Sequence, residues 1–277
     1  MGAVRCDDRA REPATTEETT RMCYEPSARP PLPPIRGGAG LAGTERLVLE
    51  AADGNRLSAF GTRAVVADAP GLVIMPDVRG LHPFYRDLAI RFAEAGVHAT
   101  AIDYFGRTAG LGERDDAFEY APHVQQTQPE TVALDVAAAL SHLRSAAGGG
   151  ATRTFTVGFC FGGRNSFNQA AANHGLDGVI GFYGRPQQMD RDDRSAPVVL
   201  AAGYRCPVLG LFGGADPVVP PEAVDGFERA LAGAGVDHEL VVYPDAPHSF
   251  FDRTAAEHAD ESADAWRRML AFVGATA

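Results

Sequence analysis

The feature that most constrains the fold of this chain is the segment TVGFCFGG around Cys160, which has the form G-x-C-x-G. A β-rich stretch, residues 152–157, precedes it, and a helix-compatible stretch, residues 161–173, follows it. A strand that turns sharply into a helix needs small residues beside the turn, and Gly158 and Gly162 meet this need. Such a turn presents the thiol at a helix N-terminus, where backbone N–H groups favour a thiolate. The segment predicts a reactive cysteine; the alternative is a small, inert, buried thiol.

The rest of the chain alternates between short β-rich runs and helical stretches. This alternation predicts a mostly parallel sheet that is covered by helices on both faces. We predict strands at residues 46–52, 56–62, 71–75, 97–102, 152–157, 178–183, 208–212 and 239–243. We predict helices at residues 84–94, 115–126, 130–147, 161–173, 221–232 and 254–272.

The first 40 residues differ in composition from the rest of the chain. They are rich in charge, Thr and Pro, and they include the run RPPLPP at residues 29–34. This composition favours irregular or polyproline-like structure. We therefore predict an N-terminal arm at residues 1–40, partly irregular or disordered, followed by a single α/β domain at residues 41–277.

Composition also limits the partners and the compartment. The formal net charge of −11 argues against a nucleic acid or an anionic membrane as the partner. No apolar run reaches transmembrane length, and the first residues lack the apolar stretch of a secretory signal. The four cysteines suggest neither a zinc site nor a disulfide framework. We expect a cytoplasmic protein, a monomer or small homo-oligomer, that binds a small molecule.

Two residues downstream of the cysteine complete a candidate catalytic set in the order nucleophile, acid, histidine. Asp216 follows a predicted apolar strand, and functional groups gather at such carboxyl ends; the alternative is a turn or N-cap aspartate. His248 lies in a loop between the last strand and the last helix, and its alternative is a surface histidine. In the predicted mechanism Cys160 attacks an acyl carbon, His248 takes the thiol proton and later activates water, and Asp216 orients the imidazole.

Acyl transfer also needs hydrogen-bond donors for the developing oxyanion. We predict that these are the N–H of Phe161, directly after the cysteine, and an N–H near Val78, in the loop after the predicted strand at residues 71–75. The chain has no Walker motif, no GxGxxG fingerprint after a strand and no cluster with metal-ligand spacing. We therefore expect no cofactor and no metal.

These motifs carry a resemblance to a known family over residues 71–272. The chain resembles dienelactone hydrolases, which have the α/β-hydrolase fold. The resemblance rests on GFCFGG around Cys160, FYG around Tyr183, GADP around Asp216, HSF from His248 and AIDYFGR up to Arg107. It implies a mostly parallel central sheet of about eight strands with helices on both faces. It also implies hydrolysis of a lactone or small ester, with or without a carboxylate group, through a cysteine acyl-enzyme.

The same resemblance implies two substrate-binding residues. Arg107 falls where the family has an arginine that holds the substrate carboxylate, and a planar guanidinium suits that role. The alternative is an arginine in a surface loop. Tyr183 falls where the family has a pocket tyrosine, and its alternative is packing in the core.

The chain departs from the family at two places. The family has a glutamate that hydrogen-bonds the resting thiol, whereas this chain has Asp77, one methylene shorter, which could do the same work or could pair with Arg79. The family also has an arginine four residues after the histidine, whereas this chain has Asp252 there and Arg253 next. We expect the substrate carboxylate to be bound more weakly than in the family, or by other residues, and Arg253 is a candidate for binding it.

Two other functions stay open at this point. The first is a general carboxylesterase or thioesterase that acts on small acyl substrates. The second is a non-catalytic binding protein with the α/β-hydrolase fold, which a complete Cys–Asp–His set argues against.

Overall fold

The computed structural model of this 277-residue chain describes residues 27–35, 38 and 40–275. The first 26 residues of the predicted arm lie outside the described part, so the arm and its boundary stay a prediction. Residues 27–35 contain neither helix nor strand. They are nevertheless tied to the domain, because Trp266 Nε1 donates to the Pro31 carbonyl at 3.0 Å and Ile35 packs against the core.

The strands form one sheet. They are β1 (Leu41–Glu50), β2 (Arg56–Ala64), β3 (Gly71–Met75), β4 (His98–Ile102), β5 (Thr154–Phe159), β6 (Gly178–Phe182), β7 (Val208–Gly213) and β8 (His238–Tyr243). Their order is β1-β2-β4-β3-β5-β6-β7-β8 among the described residues. The pairs β1–β2 and β2–β4 are antiparallel, and the other neighbouring pairs are parallel. The predicted mostly parallel sheet of about eight strands is confirmed.

Helices cover both faces of this sheet. They are α1 (Pro83–Glu94), α2 (Gly106–Ala109), α3 (Ala121–Gln126), α4 (Pro129–Arg144), α5 (Phe161–Gln169), α6 (Pro197–Leu200), α7 (Pro221–Ala234) and α8 (Ala259–Val273). Side chains alternate along a strand, so Leu72 and Ile74 join the core under α1 and α8, whereas Val73 and Met75 join the core under α4. The strands β3 to β7 are buried along their whole length and are mostly apolar, whereas β1, β2 and β8 have exposed positions.

Two helices begin later than predicted, and the helices predicted at residues 130–147 and 161–173 end earlier, at Arg144 and Gln169. The last helix begins at Ala259 rather than at residue 254, because residues 251–258 form turns and the acidic Asp260 and Glu261 favour a helix start at this point. The helix predicted at residues 115–126 is reduced to α3, with Pro122 in its first turn. No helix in the described ranges is long and apolar enough to cross a membrane.

Candidate active site

The loops that follow the parallel strands meet at one edge of the sheet. Cys160 follows β5, Tyr183 follows β6, Asp216 follows β7 and His248 follows β8. Loops at the carboxyl ends of parallel strands are where open α/β sheets bind ligands. A cavity of about 470 Å³ is lined here by Cys160, Tyr183 and His248, among others.

The cysteine lies in a strained turn between β5 and α5. Its backbone has φ 53° and ψ −112°, a region that residues other than glycine rarely adopt. A Cβ on Gly158 would lie 1.9 Å from the Gly162 carbonyl oxygen, and a Cβ on Gly162 would lie 2.1 Å from the Met75 carbonyl oxygen. The turn therefore requires both glycines. It lifts Cys160 to the cavity wall at the N-terminus of α5.

The histidine and the aspartate form a buried pair. His248 Nδ1 lies 2.7 Å from Asp216 Oδ2, and both side chains are at most 1% exposed. Asp216 Oδ1 accepts backbone N–H bonds from Val218 at 2.7 Å and Val219 at 3.2 Å, so the carboxylate is held from two sides. A proton on Nδ1 leaves Nε2 as the basic nitrogen. Within the described residues His248 Nε2 is buried and has no hydrogen-bond partner.

Tyr183 packs beside this pair. Its backbone also has positive φ, 37°, and its ring centre lies 4.9 Å from that of His248. Burial, helped by the carboxylates of Asp252 and Asp77, raises the pKa of the Tyr183 phenol well above its usual value. The phenol is therefore neutral and contributes an apolar ring and a hydroxyl to the cavity wall.

The two predicted oxyanion donors differ in position. Phe161 is the first residue of α5 and lines the cavity, and the first N–H groups of a helix have no partner within it. Val78 is buried in the loop after β3 and is not among the residues that line the cavity. That loop is fixed, because the Gly80 N–H donates to the Asp77 carbonyl at 3.1 Å and the Tyr104 hydroxyl donates to the Pro76 carbonyl. The oxyanion role of both residues stays a prediction.

Asp77 belongs to a buried charge cluster. Arg79 donates to Asp77 Oδ1 at 3.0 Å through Nε and to Asp77 Oδ2 at 2.8 Å through Nη2, and Nη2 also contacts Asp252. Burial would lower the pKa of the guanidinium, but the carboxylates of Asp77 and Asp252 raise it. The Asp77 carboxylate therefore pairs with Arg79, which is the second of the two possibilities that the sequence left open. Its action on the thiol stays a prediction.

The structure does not bring Arg107 to the cavity, contrary to the expectation from the resemblance. Its guanidinium donates to Asp135 Oδ1 at 2.7 Å and to Asp53 Oδ2 at 2.6 Å. These two carboxylates neutralise the guanidinium, and the two ion pairs connect the β1–β2 turn to α4. Arg253 is also absent from the cavity lining, and its charge acts on the adjacent Asp252 instead.

Sequence reasoning missed most of the cavity wall. One face of α5 contributes Arg164, Asn165 and Asn168, and the loop at residues 185–195 contributes Arg185 and others. Arg164 and Asn165 follow Phe161 by three and four residues, and this spacing places them on the same face of the helix. The sequence could therefore have predicted that this face lines the cavity. The loop had no such signal, because an ion pair of Arg164 with Asp193, 29 residues away, brings it to the cavity. In the described ranges, no group of three or more His, Cys, Asp or Glu side chains could hold a metal ion.

Three comparisons place the chain among known proteins. The sequence model of the "Dienelactone hydrolase family" matches residues 58–277. An Escherichia coli O157:H7 protein, "Putative carboxymethylenebutenolidase", is 32% identical over 224 residues, which are 78% of this chain and 82% of the relative. A Bradyrhizobium protein, "Probable 2-oxo-3-(5-oxofuran-2-ylidene)propanoate lactonase", is 26% identical over 79% of this chain and 89% of its own length. The crystal structure of a "Putative Dienelactone Hydrolase" from Klebsiella pneumoniae subsp. pneumoniae MGH 78578 covers 84% of this chain and 100% of its own, with 29% identity and a TM-score of 0.69.

The sheet order, the strained turn at Cys160 and the buried His–Asp pair define a protein with the α/β-hydrolase fold. Since the family model also matches most of the chain, the protein belongs to the dienelactone hydrolase family and is a hydrolase.

Proposed function

We propose that this protein opens a lactone or cleaves a small carboxylic ester of the dienelactone type, with Cys160 as the nucleophile and an acyl-enzyme as the intermediate. The observation that carries the proposal is that Cys160 and His248 line one cavity while Asp216 holds His248 from behind. The names of two relatives, a carboxymethylenebutenolidase and a lactonase, support the substrate class. Within this proposal the protein acts in the cytoplasm, on a substrate of aromatic degradation, without nucleic acid or membrane as a partner.

The proposed reaction runs in two halves. His248 Nε2 takes the thiol proton, and Cys160 Sγ attacks the carbonyl carbon of the substrate. The N–H groups of Phe161 and Val78 donate to the oxyanion. The C–O bond then breaks, and the leaving oxygen, which is the ring oxygen in a lactone, takes the proton from His248.

Deacylation uses the same groups in reverse. A water molecule gives a proton to His248 Nε2 and attacks the thioester carbon. The thiolate leaves and regains the proton, and a carboxylic acid is released. Asp216 keeps Nδ1 protonated throughout and stabilises the imidazolium. In this proposal Asp77 can act on the thiol only after its carboxylate leaves Arg79.

A general esterase or thioesterase is the second candidate. The position of Arg107 outside the cavity favours it, because the family's carboxylate clamp is then missing from its usual place. Lactone and simple ester substrates therefore have to be compared in one experiment.

The test compares wild type, Cys160→Ala and Cys206→Ala on a dienelactone and on 4-nitrophenyl acetate. Cys206 is a matched control, because it is a buried thiol in another core cluster and burial raises its pKa to about 11. We expect both activities in wild type and Cys206→Ala and neither in Cys160→Ala. Acid-quenched wild type should carry the acyl group on the Cys160 peptide, seen by mass spectrometry. Hydrolysis of the simple ester alone would select the second candidate, and activity that survives in Cys160→Ala would remove Cys160 from the mechanism.

A further inference from the structure

The wall that α5 contributes to the cavity contains two buried amides. Asn165 and Asn168 both line the cavity, and they are only 5% and 8% exposed. Neither side chain takes part in the proposed reaction. A polar group that is removed from water lowers stability unless a hydrogen bond compensates it, so each atom of these amides needs a partner.

The nitrogen of each amide already has one. Asn165 Nδ2 donates to the Phe161 carbonyl at 3.1 Å, and Asn168 Nδ2 donates to the Ser195 carbonyl at 3.0 Å. Because a carbonyl can only accept, these two bonds fix which end of each amide is the nitrogen. The other end of each amide is therefore the oxygen, which is an acceptor.

The two amide oxygens receive no hydrogen bond from the part of the chain that the structure describes. Asn168 Oδ1 is buried without a partner, and no described residue donates to Asn165 Oδ1. Two donors in the cavity wall are used elsewhere, because the Ser195 hydroxyl at 2.9 Å and Arg164 Nη2 at 2.7 Å both donate to the Asp193 carboxylate. A donor on the ligand is therefore the group that these oxygens need.

The charge of the cavity favours a neutral donor. Among the described residues, the cavity lining contains neither Asp nor Glu, so a buried ammonium group would have no counter-charge. A hydroxyl group donates to an amide oxygen without needing one. At the rise of a helix, residues 165 and 168 lie about 7.5 and about 12 Å along α5 from residue 160, so the hydroxyl belongs at the far end of the acyl group.

We infer that Asn165 and Asn168 bind a hydroxyl group of the substrate and select hydroxylated esters and lactones over their unhydroxylated counterparts. This inference rests on the proposed function and narrows its substrate class to acyl compounds with a hydroxyl group remote from the scissile bond. Val124, Phe161 and Val218 also line the cavity and suit the apolar segment that connects the two groups. The two amides thus determine specificity and do not touch the reacting atoms.

The kinetic test uses two esters that differ by one hydroxyl group. Methyl 3-(4-hydroxyphenyl)propanoate and methyl 3-phenylpropanoate have the same leaving group and acyl chain, but only the first can donate a hydrogen bond from its ring. In wild type we expect kcat/KM to be about 3- to 30-fold higher for the hydroxylated ester, which corresponds to one or two neutral hydrogen bonds. Asn168→Leu keeps the approximate shape but removes the acceptor, so it should reduce this preference and leave kcat/KM for the unhydroxylated ester nearly unchanged.

Two further variants complete the kinetic test. Asn165→Leu should also reduce the preference, and the double variant should abolish it. Asn173→Leu removes an exposed amide outside the cavity and should keep the wild-type kcat/KM for both esters. Equal losses on both esters in Asn168→Leu would assign that residue a structural role, through its contact with Ser195, and overturn the inference. Equal kcat/KM for the two esters in wild type would also overturn it, and this result needs no variant.

A binding test separates this inference from the proposed reaction. Calorimetry on Cys160→Ala compares 3-(4-hydroxyphenyl)propanamide with 3-phenylpropanamide, and we expect the hydroxylated compound to bind more tightly. It should lose that advantage when Asn165→Leu and Asn168→Leu are both added. If wild type hydrolyses neither ester but the binding advantage depends on the two asparagines, the reaction is wrong and the hydroxyl site stands. If the two propanamides bind equally, or the advantage survives both substitutions, the inference is wrong.

Discussion

At the scale of single residues, Asp216 determines which nitrogen of His248 carries the proton. An asparagine has the same shape but presents an amide, so Asp216→Asn should favour the tautomer with a protonated Nε2, which cannot accept the thiol proton. We expect kcat on 4-nitrophenyl acetate to fall about a hundred- to ten-thousand-fold with little change in KM. Asp53→Asn makes the same chemical change outside the cavity and should keep wild-type kcat. A near-normal kcat in Asp216→Asn would contradict the proposed role.

The strained turn permits a second prediction at this scale. Gly158→Ala would place a methyl group 1.9 Å from a backbone oxygen of Gly162, which cannot move without displacing α5. We expect a loss of at least about 3 kcal/mol in the free energy of unfolding. Gly233→Ala is the control, because this glycine lies in α7 with open space around it, and the change should stabilise slightly. Urea denaturation of both variants measures the difference; similar midpoints would contradict the prediction.

At the scale of elements, Arg107 acts as a link between the β1–β2 turn and α4. Asp135 is fully buried, and burial raises its pKa although Arg107 opposes this. Arg107→Gln would leave that carboxylate without its cation, and we expect the free energy of unfolding to fall by about 3–5 kcal/mol. The ratio of kcat/KM for mono(4-nitrophenyl) adipate, which has a terminal carboxylate, to that for the neutral 4-nitrophenyl hexanoate should stay at its wild-type value. If Arg107→Gln keeps the wild-type stability but the ratio falls sharply, Arg107 binds the substrate carboxylate after all.

The elements also show what the sequence could predict. Strand β3 was predicted with its observed bounds, because a short apolar run between turns has few other interpretations. The turn at Cys160 depends on residues that are adjacent in the chain, so it too could be predicted. The contacts of Arg107 could not, because its carboxylate partners are 54 and 28 residues away. Nothing local distinguishes an arginine that will meet two carboxylates from one that will meet a substrate.

At the scale of the whole molecule, one charge cluster connects two distant parts of the chain. Arg79, after β3, contacts Asp252, which is 173 residues further along and follows β8. With Asp77 the cluster contains two carboxylates and one guanidinium, and all three side chains are at most 3% exposed. Burial raises the pKa of Asp252 to about 7, against the lowering effect of Arg79. The cluster therefore binds a proton in the folded state at a pH where the unfolded chain does not.

The sign of the resulting pH dependence follows from that raised pKa. The stabilising contribution of protonated Asp252 is complete below its unfolded pKa of about 3.9 and is lost as the pH rises through about 7. Asp252→Asn cannot titrate, so wild type should lose stability relative to this variant between about pH 5 and about pH 8, by on the order of 2 kcal/mol. Acids outside the cluster are present in both proteins and cancel in the comparison, whereas Asp77, which shares Arg79 with Asp252, is part of the measured difference.

Asp264→Asn is the control for this measurement, because the pKa of Asp264 is lowered whereas the pKa of Asp252 is raised. Burial would raise the pKa of Asp264, but hydrogen bonds from Arg268 and Tyr243 lower it. Its contribution is therefore already complete above about pH 5, and the stability difference from wild type should not change up to about pH 8. Urea denaturation of the three proteins at both pH values measures the differences. If the gap between wild type and Asp252→Asn is the same at both, Asp252 does not titrate between about pH 5 and about pH 8, which would contradict its raised pKa.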